Sequence, residues 1–89
     1  MRFRVGSLVK LNSHNSDIRS WKSSLEISYF VGRVVSYRSQ PYARYEVKPV
    51  RVNAGASINV VDTIFFLQDH LELVDSLFVI HRRQPPKGR

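Results

Sequence analysis

The chain has 89 residues, a formal charge of +7, a pI near 10.4 and 43% hydrophobic residues, one Trp, four Tyr and five Phe among them. That length excludes two domains with useful cores of their own, and the apolar content excludes a disordered polypeptide. The absence of cysteine excludes a disulfide framework, a thiolate zinc site and a cysteine nucleophile.

The positive balance favours an acidic partner: nucleic acid, an anionic membrane or an acidic protein face. Arginines outnumber lysines ten to four. Arg forks onto phosphate and stacks on rings, whereas Lys is a hydrated point charge, so the bias suits recognition better than solubility alone. No stretch approaches the length of a membrane span, and the first apolar run is broken by Gly6, Ser7 and Lys10, unlike a signal peptide. The expectation is a cytoplasmic protein that makes no use of a membrane.

From Arg2 to Leu11 the apolar residues Phe3, Val5, Val9 and Leu11 alternate with Arg2, Arg4 and Lys10. The period of two predicts a first strand, with Gly6 and Ser7 marking a bulge or the point where the strand begins in earnest. Asn12 to Ser28 holds six serines and two asparagines and is expected to be mostly a long polar loop. Within it Ile18, Trp21 and Leu25 have the spacing of one stripe on a short helix capped by Ser16 or Asp17. Trp21 is either a cap on one end of the fold or part of a binding surface.

Tyr29 to Val52 reads as an antiparallel hairpin: two β-branched and aromatic runs joined by a polar turn at Ser39 to Ala43, where Gln40-Pro41 presets the bend. Its second strand begins at Arg44. Tyr45 and Val47 share one face, but after Pro49 the apolar residues are Val50 and Val52, and this change of phase predicts a bulge or a sheet edge. Asn53 to Ser57 is a further turn. Ile58 to Leu67 is expected as strand four, with Asp62 and Thr63 able to split it. Gln68-Asp69-His70 fits one tight turn, and Leu71 to Val74 a fifth strand. Leu77 to Ile80 is expected as a sixth strand or a segment packed across the fold, closing a single domain over 1–81. Residues 82–89 then form a basic disordered tail.

This running order resembles that of the small Src-homology-3-like (SH3-like) barrels. Val5-Gly6-Ser7-Leu8-Val9-Lys10-Leu11 is similar to the opening V-G-D-x-V-K-L of that class, with Ser7 in place of the acid. Gly32-Arg33-Val34-Val35 resembles its second strand, and Leu71-Glu72-Leu73-Val74 its closing one. The resemblance implies an all-β fold: a five- to six-stranded, partly open SH3-like barrel with a long polar loop after strand one. The class includes KOW-type modules of ribosomal and transcription proteins, Tudor-like modules and small subunits that dock on enzymes. The fold alone does not choose among these.

The residues offer little for catalysis. His14, His70 and His81 lie in separate segments without ligand spacing, and there is no glycine-rich phosphate loop or nucleophile elbow. The expectation is a non-enzymatic protein with no cofactor and no metal. What stands out is arginine beside tyrosine: Tyr37, Arg38, Tyr42, Arg44 and Tyr45 crowd one turn, with Arg33, Lys48 and Arg51 farther along the ribbon and Arg82 and Arg83 in the tail. Arginines neutralise phosphates and tyrosines stack on unpaired bases, so these ten residues are the candidate contacts to DNA or RNA. Alternatively the tyrosines cover the end of the core and the charges only solubilise the hairpin. The rival function is a protein-binding adaptor or inhibitor that docks on an acidic surface of a larger complex, with Pro49 marking an edge. A Tudor-like aromatic cage would use the tyrosines and Trp21, against the local positive charge.

Overall fold

The computed structural model describes residues 2–74. In chain order they form β1 (Leu8–Leu11), α1 (Ser16–Leu25), β2 (Phe30–Arg38), β3 (Arg44–Val52), β4 (Ile64–Phe66) and β5 (Leu71–Leu73), with a 3-10 turn at Gln68–His70 joining the last two strands. The five strands make one antiparallel sheet in the order β4-β3-β2-β1-β5. No ladder joins β4 to β5, so the sheet is open and not closed into a barrel. The expected sixth strand at Leu77 to Ile80 and the tail with Arg82 and Arg83 lie outside the described residues.

Two bulges shape the central hairpin. In β2 the pairing passes from Val34↔Val47 to Ser36↔Glu46, leaving Val35 without a partner. In β3 it passes from Pro49↔Gly32 to Arg51↔Val31, leaving Val50 unpaired. Each extra residue shifts the alternation by one, so Tyr37 returns to the core face opposite Tyr45, and Val52 to the core face opposite Phe30. The phase change after Pro49 is thus a bulge at Val50, which alone turns outward. Pro49 also lies beyond the last pair that β3 makes with β4, and strands tolerate proline at bulges and unpaired edges.

The core is built from one face of the sheet: Val9 and Leu11 of β1, Phe30 and Val34 of β2, Tyr45 and Val47 of β3, Phe66 of β4 and Leu71 of β5. Gly32 shares that face because nothing larger fits. A Cβ there would collide with the Val47 side chain and meet the Phe30 ring at 3.1 Å.

The serine-rich segment is helical because its apolar stripe has somewhere to dock; burial outweighs the weak intrinsic preference of serine. Ile18 is buried, and Trp21 stands edge-on to Phe30 and Phe66, at 6.4 and 5.4 Å between ring centroids. Trp21 is therefore partly buried and packed against the core, as a cap on it. The cap falls one residue before the expected pair: the Asn15 carboxamide oxygen accepts the Ile18 N–H at 3.1 Å. At the other end Glu26 takes the left-handed conformation, φ 58°, and its N–H closes the last turn onto Lys22 and Ser23 carbonyls.

Strand four is shorter than expected. Asn59 captures two backbone donors, Val61 N–H on its side chain at 3.1 Å and Asp62 N–H on its carbonyl at 3.2 Å, and this turn keeps residues 58–63 out of the sheet. Ahead of β1, Phe3 is buried edge-on to Tyr45 at 5.1 Å, and the chain reverses at Gly6 with φ 97°. Regular pairing thus starts after Gly6 and Ser7.

Candidate nucleic-acid interface

The two bulges place Arg33, Arg38, Arg44, Lys48 and Arg51 on the face of the sheet opposite the core. Arg33 pairs with Lys48 and Arg38 with Arg44, two cationic rungs on either side of the Ser36↔Glu46 rung. Arg51 follows on the far side of the Val50 bulge, opposite Val31, which in turn lies opposite Lys10 of β1. Lys10 thus extends the same face, and the alternation Val9-Lys10-Leu11 already signalled it. Unscreened, such rows of like charge would repel one another. Among the described residues one ion pair is formed, Lys10 to Glu72 at 3.9 Å between exposed side chains, so the face keeps most of its positive charge.

Several of these cations are tied to backbone carbonyls. The Arg33 guanidinium donates to the Gly6 carbonyl at 2.8 Å, and the Lys48 ammonium to that of Val60 at 3.0 Å. Arg44 is the most constrained: it donates to the carbonyls of Gln40 and Tyr42 at 2.7 and 3.2 Å and lies between the rings of Tyr42 and Phe65, at 5.1 and 5.2 Å from their centroids. That sandwich fixes the turn to the edge strand β4. Arg38 and Arg51 are exposed and make no side-chain hydrogen bond among the described residues, which leaves their forks available.

Glu46 is the one acid on the ribbon. Its carboxylate accepts the Ser36 hydroxyl at 2.7 Å and the Thr63 hydroxyl at 2.6 Å. These hydrogen bonds, that from Thr63 first and that from Ser36 second, hold its carboxyl below the usual carboxylate range, with Arg38 adding a smaller attraction against the opposing effect of burial.

The tyrosines do not form the ring-studded surface expected of them. Tyr45 is wholly buried, and its hydroxyl accepts the N–H groups of Arg2 and Phe3 at 2.7 and 3.2 Å. Tyr37 packs on it at 4.9 Å and is half-buried on the same core face. Both leave the ligand-facing set: Tyr45 shares the core side of β3 with Val47, and the Val35 bulge brings Tyr37 to the same side. Tyr42 remains, 56% exposed, and Phe65 joins it at 46%, a residue that sequence reasoning missed because β4 reads as a plain apolar run. A shallow groove of about 490 Å³ lies between them, lined by Arg44, Leu67 and His70 as well.

The aromatic cage is likewise dispersed, with Trp21 packed against the core, Tyr45 buried in it and Tyr42 under Arg44. His70 uses its Nδ1 to accept the Leu67 N–H at 3.1 Å in the 3-10 turn. Among the described residues no three His, Asp or Glu side chains are grouped to hold a metal ion, and no helix is long and apolar enough to cross a membrane. In comparisons with protein-family models, curated proteins and solved structures, the chain matches none of them.

Proposed function

We propose that this chain is a non-catalytic nucleic-acid-binding module whose outer sheet face receives the phosphate backbone. The observation that carries the reading is the gathering of Arg33, Arg38, Arg44, Lys48, Arg51 and Lys10 on one face, with the single acid Glu46 among the ribbon's cations held by two hydroxyls. Arg38 and Arg51, exposed and without a side-chain hydrogen bond among the described residues, supply the forks, and the Arg44 sandwich with Tyr42 and Phe65 supplies ring surface at one end. The sheet order, with a 3-10 turn before the last strand, supports reading the open sheet as a partly open SH3-like barrel. Such a face binds through charge, so sequence preference is weak and salt dependence steep.

Fluorescence anisotropy with DNA and RNA strands over a salt series tests this. Replacing Arg38 and Arg51 by Ala should each lower the slope of log affinity against log salt by about one. Absence of binding to either nucleic acid at low salt would remove the proposal.

A second reading, an adaptor docking on an acidic partner, draws on the exposed apolar flank of β4, where Val60, Val61, Phe65 and Leu67 stand near Arg44 and Lys48. Recovery of a stoichiometric protein partner after nuclease treatment would favour it.

A further inference from the structure

A second concavity lies across the sheet from the hairpin turn, where the end of β1 and the start of β2 meet the last turn of α1. It measures about 470 Å³, within the range of small-ligand sites. Its apolar lining comes from Leu11, Phe30, Val31 and Val74, while Lys10 and Lys22 reach it from two different elements. No described acid lines it. Glu72 pairs with Lys10 at 3.9 Å, between exposed side chains.

Tyr29 stands at the rim. Its backbone is held firmly: the Asn53 carboxamide oxygen accepts the N–H groups of Ser28 and Tyr29 at 2.8 and 3.2 Å, and the Asn53 amide donates to the Glu26 carbonyl at 3.1 Å. The residue is nevertheless 49% exposed. A half-exposed ring on an anchored stretch of backbone, in a cleft lined by apolar side chains and two lysines, suits one kind of ligand. A bare anion would leave the apolar lining wet, and an uncharged apolar molecule would desolvate two cations without compensation. A flat ring carrying a phosphate satisfies both.

We infer that this cleft binds one unpaired nucleotide, its base against Tyr29 and the apolar lining of Leu11, Phe30 and Val74 and its phosphate between Lys10 and Lys22. The inference rests on the nucleic-acid reading and deepens it. Lys10 belongs to both the cleft and the outer face, so a strand lying along the Arg51–Val31–Lys10 line reaches the cleft at its end.

The test uses the full chain with adenosine 5′-monophosphate, adenosine, inorganic phosphate and a short oligothymidylate, followed by calorimetry and by amide NMR. The monophosphate should shift the resonances of Leu11, Tyr29 and Val74 and bind about tenfold tighter than adenosine or phosphate, the gain expected of one stacked base joined to one paired phosphate. Lys22→Gln and Tyr29→Ala should each weaken it by about tenfold, and Arg38→Ala should not. Equal binding of inorganic phosphate, or an unchanged affinity in Lys22→Gln, would overturn the inference. If oligothymidylate binds with a steep salt slope while the monophosphate does not bind, the cleft falls and the outer face stands. If the monophosphate binds and oligothymidylate does not, the outer face falls instead.

Discussion

The Ser36 hydroxyl donates to Glu46 Oε1 at 2.7 Å on the rung that separates the two cationic rungs of the central hairpin. With Thr63 on the other oxygen, this keeps a carboxylate ionised in the middle of the proposed interface. Because its folded pKa is depressed, Glu46 contributes stability that is present above the unfolded value, near 4.3, and lost as pH falls through the folded one. Glu46→Gln should therefore show a shallower loss of stability on acidification than the native chain, measured by denaturant melts across pH 3 to 6. The same substitution removes the one negative charge on the ribbon, and oligonucleotide affinity at low salt should rise on the order of fivefold, about 1 kcal/mol for one unit charge near a surface.

Deleting Val35 should close the bulge without reversing the faces: Ser36 then follows Val34 directly, so Ser36 and Arg38 stay outward and Tyr37 inward. The expected change in stability is roughly 1–3 kcal/mol, read from urea melts, with the Arg38 share of the salt slope retained. Loss of that share in the folded variant would show that the bulge itself is needed to orient the outer face.

Gly32→Ala should cost about 1–3 kcal/mol through overpacking, since its new methyl group meets Val47 and Phe30 and, at 3.1 Å, the Lys48 carbonyl. Gly55 provides the control. It has φ 91° and open space around the Cβ position, so Gly55→Ala should show only backbone strain, about 1 kcal/mol. Thermal melts of the two variants distinguish packing from dihedral cost.

Tyr45→Phe leaves the buried Phe3 N–H and the Arg2 N–H without their acceptor. The expected loss is about 1–2 kcal/mol of stability with oligonucleotide affinity unchanged. Any drop in affinity beyond the loss of folded protein would return Tyr45 to the ligand-facing set.

Glu26→Gly should stabilise the chain by about 1 kcal/mol, because a non-glycine residue in the left-handed region at a helix end carries a steric cost that glycine avoids. A midpoint lower than native would mean that the Glu26 side chain makes an interaction outweighing that cost.

Much of the architecture is written locally. The β-branched runs flanking Gln40-Pro41 announce the hairpin, Ile18, Trp21 and Leu25 announce the helix, and the alternation around Val9 announces which side of β1 is dry. Composition and period carry these because each is a property of neighbouring residues. The start of β4 is harder to read: Val60 and Val61 look like strand, and the turn in which Asn59 takes the N–H groups of Val61 and Asp62 removes them from it.

The amino-acid order by itself determined that this is a small, mostly β, strongly basic chain with four of its ten arginines on one ribbon. Which side of the ribbon they occupy was decided only in three dimensions. Arg33 and Arg38 are an odd number of positions apart, as are Lys48 and Arg51, so strict alternation would set each pair on opposite faces. The unpaired residues Val35 and Val50 cancel that difference, and a bulge arises from how two strands fit over a shared core, with Tyr37 needing the side of Val34 and Val52 that of Val47. The identical requirement drew Tyr37 and Tyr45 inward, leaving the outer face richer in charge and poorer in rings than its sequence suggests.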